Sequence, residues 1–164
     1  MTRYHRFTTP LGTVFATAIA GSLTGLYFEG GRHAPSIDPC WLEDPRGEPL
    51  AACELQLREY LEGRRTRFEL VTAPQGTPFQ QRVWAQIACI PYGESITYAE
   101  LARRAGAPGS ARAAGAATGR NPLSIIVPCH RVVGSQGALT GYAGGLERKS
   151  HLLTLESCQL TLAA

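Results

Sequence analysis

Short apolar runs broken by turn residues dominate the start of the chain, and a helical period takes over later. Residues 3–9, 12–20 and 23–28 read as strands separated by Pro10, Gly21 and Gly30, so the chain is predicted to open as a sheet. An irregular stretch holding Pro35, Pro39, Pro45 and Pro49 follows. Leu50, Cys53, Leu57, Tyr60 and Leu61 then share one helical face, with Gly63 as the stop. Residues 68–71 are predicted to rejoin the sheet as a strand. Ala73-Pro-Gln-Gly76 has the composition of a linker, and a boundary near Gly76 would divide the chain into units 1–76 and 77–164.

The second unit opens with a strong start signal. Thr77 is the predicted N-cap, Pro78 sits at the first helical position and Gln80 completes a capping box, with Phe79, Val83 and Ile87 facing inward. Thr97-Tyr-Ala-Glu100 repeats the capping pattern, and Tyr98, Leu101, Ala102 and Ala105 fall at i, i+3, i+4 and i+7. After the turn Gly106-Ala-Pro-Gly109, Ser110 is the expected cap of a second helix ending near Gly119. Two short helices joined in this way suggest a DNA-binding helix-turn-helix, although such pairs also occur in ordinary cores.

The second helix of this pair lacks the side chains that read base edges. Its small residues, with Ser110, Ala113 and Ala117 expected on the DNA side, suit close approach to a backbone at any sequence. Arg112 is the exception, a cation in a first helical turn where the macrodipole disfavours it. Such a residue is either functional or an ordinary surface arginine.

Composition narrows the classes. With 44% hydrophobic and 18% charged residues, the chain has material for a packed core. No apolar run approaches the length of a membrane span, which gives the expectation of a soluble cytoplasmic protein. Net charge is only +3. The basic residues are unevenly placed: residues 1–76 carry eight against nine acidic ones, and residues 77–164 carry eight against four. A polyanion would meet the second unit. Cys40, Cys53, Cys89, Cys129 and Cys158 are odd in number and lack metal-ligand spacing, so neither a disulfide framework nor a metal site is expected.

Cys129 needs its own account. The apolar run from Ile125 leads straight into Pro128-Cys-His-Arg131, and a strand delivering Cys129 at its end is expected. A thiol becomes a nucleophile when an imidazole takes its proton and a carboxylate orients that imidazole. Lys149, Leu152, Leu153 and Glu156 share a face of the last helix, predicted from Leu146 to about Ser157. Glu156 therefore either partners His130 in a Cys129, His130, Glu156 relay or lies solvated at a frayed end. Asn121, before Pro122, can bond nearby backbone and fix how the two regions meet, or serve only as a turn residue. Gly141-Tyr-Ala-Gly-Gly145 fits a loop that admits a flat ring, and fits a plain flexible loop equally well.

These residues closely resemble the O6-alkylguanine-DNA alkyltransferases, also called methylated-DNA-protein-cysteine methyltransferases. The resemblance is carried by Pro91-Tyr-Gly-Glu94, Ser110-Ala-Arg112, Gly119-Arg-Asn-Pro122, Ile126-Val-Pro-Cys-His-Arg-Val132 and Gly141-Tyr-Ala-Gly-Gly145, and it runs from about Thr77 to Glu156. It implies an α/β (α+β) chain, with a ribonuclease H-like N-terminal domain and a mostly helical, winged-helix-like C-terminal domain.

The activity so implied is direct and irreversible repair, in which Cys129 accepts the alkyl group of O6-alkylguanine in double-stranded DNA once, without a cofactor. His130 would be the base acting through a water, Glu156 the orienting acid and Asn121 the organiser of the turn. Arg112 would be the finger that replaces the extruded nucleotide, and Tyr98 would help rotate that nucleotide and hydrogen-bond the leaving guanine. The carbonyls of Cys129 and Val132 and the amide of Ala143 would read the base edge, with Tyr142 lining the pocket. The resemblance also implies a monomer, with cooperativity on DNA and activity on O4-alkylthymine left open.

Two features depart from the family. No ligand set for the zinc of some relatives is present, and position 143 is alanine where others carry serine or larger residues. Three rivals differ in testable ways. A lesion binder without transfer would lack the acceptor cysteine, a regulator would prefer one operator, and a cysteine hydrolase would turn over repeatedly.

Overall fold

The computed structural model describes residues 1–163, with side chains described as far as Ser157. The architecture is mixed α/β. Strands β1 (Arg3–Thr9), β2 (Gly12–Ile19) and β3 (Ser22–Phe28) form an antiparallel meander, and the short β4 (Leu42–Glu43) adds in parallel to β1, giving the order β3-β2-β1-β4. The β2–β3 connection is a two-residue turn in which Ala20 (φ 48°) and Gly21 (φ 79°) are both left-handed, the twist that suits a tight hairpin. The three strands follow the sequence expectation closely. Burial alternates along β1 but is continuous from Val14 to Ala18 in β2, as a central strand covered on both faces requires.

Helix α1 (Leu50–Leu61) lies on this sheet and buries Leu50, Cys53, Leu57 and Tyr60, the stripe its period predicts. The expected strand at residues 68–71 does not form. Gln56 takes both backbone groups of Glu69, receiving its amide at 2.8 Å and donating to its carbonyl at 3.1 Å. The segment meets the sheet only at an isolated bridge between Thr72 and Leu23.

Helix α2 (Pro78–Ala88) starts in a complete capping box between Thr77 and Gln80. Strand β5 (Ile96–Thr97) leads into α3 (Tyr98–Arg104), a tight turn and α4 (Ala111–Gly119). The expected Thr97 cap forms without its box, and Ser110 takes the N-cap position without the expected side-chain bond. Thr97 accepts from the Glu100 amide, but the Glu100 carboxylate pairs with Arg103 and Arg104 instead of closing a box.

Strand β6 (Val132–Val133) pairs in parallel with β5, and α5 runs from Leu146 to Ala163, longer than expected. Trp84 anchors α4 on α2 by donating its indole N–H to the Ala117 carbonyl at 2.8 Å.

One hydrophobic core runs from Phe7 through α1 and α2 to Leu152. The free edge of β3 is covered twice, by Thr72 and by Leu123. Leu26 donates to the Pro122 carbonyl at 2.8 Å, and Ser124 donates to the Leu26 carbonyl at 3.0 Å. The sheet thus holds the segment that leads to Cys129. Among the described residues, no helix is long and apolar enough to cross a membrane.

Candidate active site

Cys129 does not end a strand. It opens a 3-10 turn, Cys129–Arg131, reached through a compact coil in which Ile125 is left-handed (φ 71°). Two causes are visible. Pro128 has no amide for a ladder, and the buried Asn121 side chain claims the backbone. Its Nδ2 donates to the Val127 carbonyl at 2.9 Å and to the Leu123 carbonyl at 3.3 Å, while its Oδ1 accepts from the Leu123 amide at 3.0 Å. Asn121→Ala strips partners from these buried groups and is expected to cost about 2–4 kcal/mol of stability, which a denaturant titration measures.

The sulfur-bearing residue is only 4% exposed, yet it forms part of the wall of a cavity of about 310 Å³. That volume lies at the lower end of the roughly 300–1,000 Å³ typical of ligand pockets. Gly115, Ala116, Thr118 and Gly119 of α4 form one wall, and Gly141, Tyr142 and Ala143 form another, with Tyr98 between them. Arg32, His33 and Arg120 stand at the same cavity. Gly141 (φ 53°) takes a left-handed conformation that a side chain would resist, which keeps this wall backbone-lined.

His130 is fully buried, and its Nε2 donates to Glu156 Oε1 at 2.9 Å. That bond fixes the proton on Nε2 and leaves Nδ1 as a bare lone pair, and Nδ1 is buried with no protein partner. Burial pushes the imidazole pKa down, and Arg131 and Lys149 push it further, against the opposing pull of Glu156. The ring is therefore neutral at pH 7, the form a base requires.

Glu156 is equally buried and saturated with donors. Tyr60 donates to Oε1 at 2.6 Å, Arg131 forks across both oxygens at 2.8–3.1 Å, and the Gly93 amide donates to Oε2 at 3.1 Å. Burial alone would raise its pKa, but the donors outweigh it and hold the carboxyl at about 2. The buried partnership of Glu156 with His130 thus replaces the frayed alternative.

Burial raises the Cys129 thiol, opposed by Asn121, Lys149 and nearby backbone amides, so the resting sulfur is protonated. Lys149, the only lysine in the chain, is fully buried beneath the cavity wall. Its Nζ donates to the carbonyls of Thr140 at 2.9 Å and Gly141 at 3.1 Å, and lies 5.7 Å from the Tyr98 ring centroid. Tyr98 itself donates to the Thr140 carbonyl at 3.0 Å.

The structure sorts the remaining expected residues. Arg112 and Ala113 are exposed on α4, and the Arg112 guanidinium has no hydrogen bond or ion pair with any described residue. Arg112 lies one turn before Gly115 and Ala116, on the face that continues into the cavity wall. Ala117 corrects the expectation: it is 3% exposed, packed inward beneath Trp84, and the exposed small residue is Ala116. Ser110 is half-buried before α4. Val132 is fully buried in β6 and its residue is not part of the cavity wall, unlike Tyr142 and Ala143. Tyr60, Arg131 and Lys149 shape the site but drew no role from sequence. For Lys149 the signal was present, since it shares the Glu156 face. Among the described residues, no group of three His, Cys, Asp or Glu could hold a metal.

Fold and site together define an α/β protein in which a buried cysteine, backed by a neutral histidine and a saturated carboxylate, opens onto a cavity beside a short helix pair. Residues 78–158 match the family model for the DNA-binding domain of 6-O-methylguanine DNA methyltransferase. The methylated-DNA–protein-cysteine methyltransferase of Mycolicibacterium paratuberculosis is 44% identical over 95% of this chain and 93% of its own. That of Methanosarcina acetivorans is 42% identical over 94% and 99%. The crystal structure of Mycobacterium tuberculosis OGT in complex with DNA superposes with a TM-score of 0.90 at 43% identity, covering 96% of this chain and 94% of that one. The chain belongs to the methylated-DNA–protein-cysteine methyltransferase family.

Proposed function

We propose that the protein repairs DNA directly, with Cys129 as the acceptor of the alkyl group of O6-alkylguanine. The observation that carries this reading is Cys129 at the cavity wall next to His130, whose bare Nδ1 is held in place through Glu156. The chain divides near Gly76, and the match of the DNA-binding family model to residues 78–158 supports that division. Residues 1–76 form a ribonuclease H-like unit and residues 77–164 a winged-helix-like one, acting as a cytoplasmic monomer on double-stranded DNA.

The lesion is shielded in a stacked duplex, so the nucleotide leaves the stack before attack, at a cost of about a few kcal/mol that is least for a badly paired base. Arg112 fills the space it leaves, and Ala113 and Ala116 let α4 come close to the backbone. Tyr98 and Asn121 position the base and the turn, while the Cys129 carbonyl and the Ala143 amide, whose residues line the cavity, read the base edge. His130 Nδ1 takes the thiol proton through a water. The sulfur forms a bond to the alkyl carbon as the carbon–O6 bond breaks, the bonding pair stays on the guanine, and the guanine takes up a proton. The thioether left on Cys129 is not hydrolysed, so each molecule acts once.

Incubation with a duplex carrying one O6-methylguanine is expected to replace one hydrogen by one methyl group per protein molecule. Intact-mass measurement and peptide mapping place that group on Cys129, and Cys129→Ser stays unmodified. An unmodified wild-type protein, or repeated turnover, rejects the proposal.

A further inference from the structure

The His130–Glu156 pair is completed by a side chain remote from the reacting atoms. Tyr60 lies in the last turn of α1 and is fully buried. Its ring is tilted against Phe68 at 5.4 Å and edge-on to Tyr92 at 6.1 Å. Its hydroxyl donates at 2.6 Å to Glu156 Oε1, the oxygen that also receives His130 Nε2, and lies 3.4 Å from that nitrogen. Packing alone does not call for this hydroxyl. A phenylalanine would fill the same space, and a buried hydroxyl is costly unless it is bonded.

We propose that Tyr60 is a positioning residue for the alkyl transfer: its hydroxyl holds the Glu156 carboxylate and, through it, sets how strongly His130 holds a proton. The inference rests on the reading of Cys129 as acceptor and His130 as base. The groups facing His130 are Glu156 and Lys149 from α5, Arg131 and Cys129 from its own turn, and Tyr60 from α1. Tyr92, after α2, faces Glu156 and Arg131. Of the tyrosine, lysine, arginine and glutamate in this group, Tyr60 is the one bonded to Glu156 that can lose its polar atom without removing a charge.

The sign follows from the geometry. A carboxylate whose charge is shared among more donors attracts an imidazolium less strongly. The 2.6 Å bond to Glu156 outweighs the 3.4 Å contact with His130. Losing the hydroxyl frees the carboxylate to pull harder on His130, which then stays protonated to higher pH and is spent as a base over a wider acid range.

The test is the pH dependence of single-turnover Cys129 methylation in wild type, Tyr60→Phe and Phe68→Leu, alongside an NMR titration of the His130 ring in each. Phe68→Leu disturbs the packing around Tyr60 but leaves its hydroxyl. In Tyr60→Phe, the acid limb and the His130 titration are expected to move to higher pH together. The plateau rate falls by no more than about tenfold, the weight of one hydrogen bond in a barrier. Phe68→Leu is expected to lose stability with both midpoints unmoved.

Unmoved midpoints in Tyr60→Phe, or equal movement in both variants, overturn the inference. In the unaltered protein, the Tyr60 hydroxyl proton is expected as a slowly exchanging resonance with an Overhauser contact to the His130 ring, and its absence also overturns it. If no protein is methylated, the alkyl-transfer reading fails, while the His130 titration still decides the role of Tyr60.

Discussion

Glu156→Gln is expected to slow methylation of Cys129 by about 10²- to 10⁴-fold, the usual weight of a general base, because His130 loses the carboxylate that orients it. It is also expected to destabilise the protein by about 3–5 kcal/mol, as when a buried ion pair loses one partner. Both effects come from one carboxylate that receives His130, Arg131, Tyr60 and the Gly93 amide with almost no solvent. Glutamine keeps the volume but places an N–H₂ among donors and leaves the Arg131 charge unanswered.

The pH signature has a defined sign. Glu156 is more acidic folded than unfolded, because its donors hold the carboxyl at about 2, well below the usual carboxylate range, so the folded state binds fewer protons. Its stabilisation is complete above the unfolded value and drains away as pH falls towards 2. His130 acts in the same direction, because its pKa is also lowered. Urea midpoints recorded from about pH 7 to about pH 3 are expected to fall steeply for the wild type and more gently for Glu156→Gln. Parallel curves would remove Glu156 from the acid response.

Arg112→Ala is expected to separate two substrates. On a duplex carrying O6-methylguanine, methylation slows by about 10²-fold, since about a few kcal/mol of unstacking loses its compensation. On free O6-alkylguanine, which has no stack to leave, the rate stays within about twofold, because Arg112 does not line the cavity. Stability is expected to change by less than about 0.5 kcal/mol, as for an exposed side chain without partners. Equal slowing on both substrates would deny Arg112 the finger role.

Local signals were legible in the sequence, and long-range ones were not. The Thr77–Gln80 capping box and the apolar face of α1 are settled within a few residues, and both formed as read. The pattern failed where a side chain competed for backbone. Gln56 dissolved the strand at residues 68–71, and Asn121 with Pro128 turned the expected Cys129 strand into a coil and a 3-10 turn. Glu100 gave its carboxylate to two arginines rather than to a box.

Within the site, Cys129, His130 and Asn121 are close enough in sequence to be proposed together, and Glu156 followed from helical period. Tyr60 lies 96 residues from Glu156, and no periodicity within α1 marks its hydroxyl apart from its ring. Arg131 belongs to the Pro128-Cys-His-Arg131 motif, yet its fork onto Glu156 depends on how α5 docks.

The loop that walls the cavity leans on the opening sheet. Arg148 donates to the Leu11 carbonyl at 2.7 Å and to the Gly144 carbonyl at 2.9 Å, and its guanidinium lies 4.4 Å from the Phe28 ring centroid. A truncated protein starting at Thr77 would keep Cys129, His130 and Glu156 but lose Phe28, Leu11 and the Tyr60 phenol. The chemistry would survive on paper while its scaffolding was cut away, so the reactive half is a dependent module and not a detachable one.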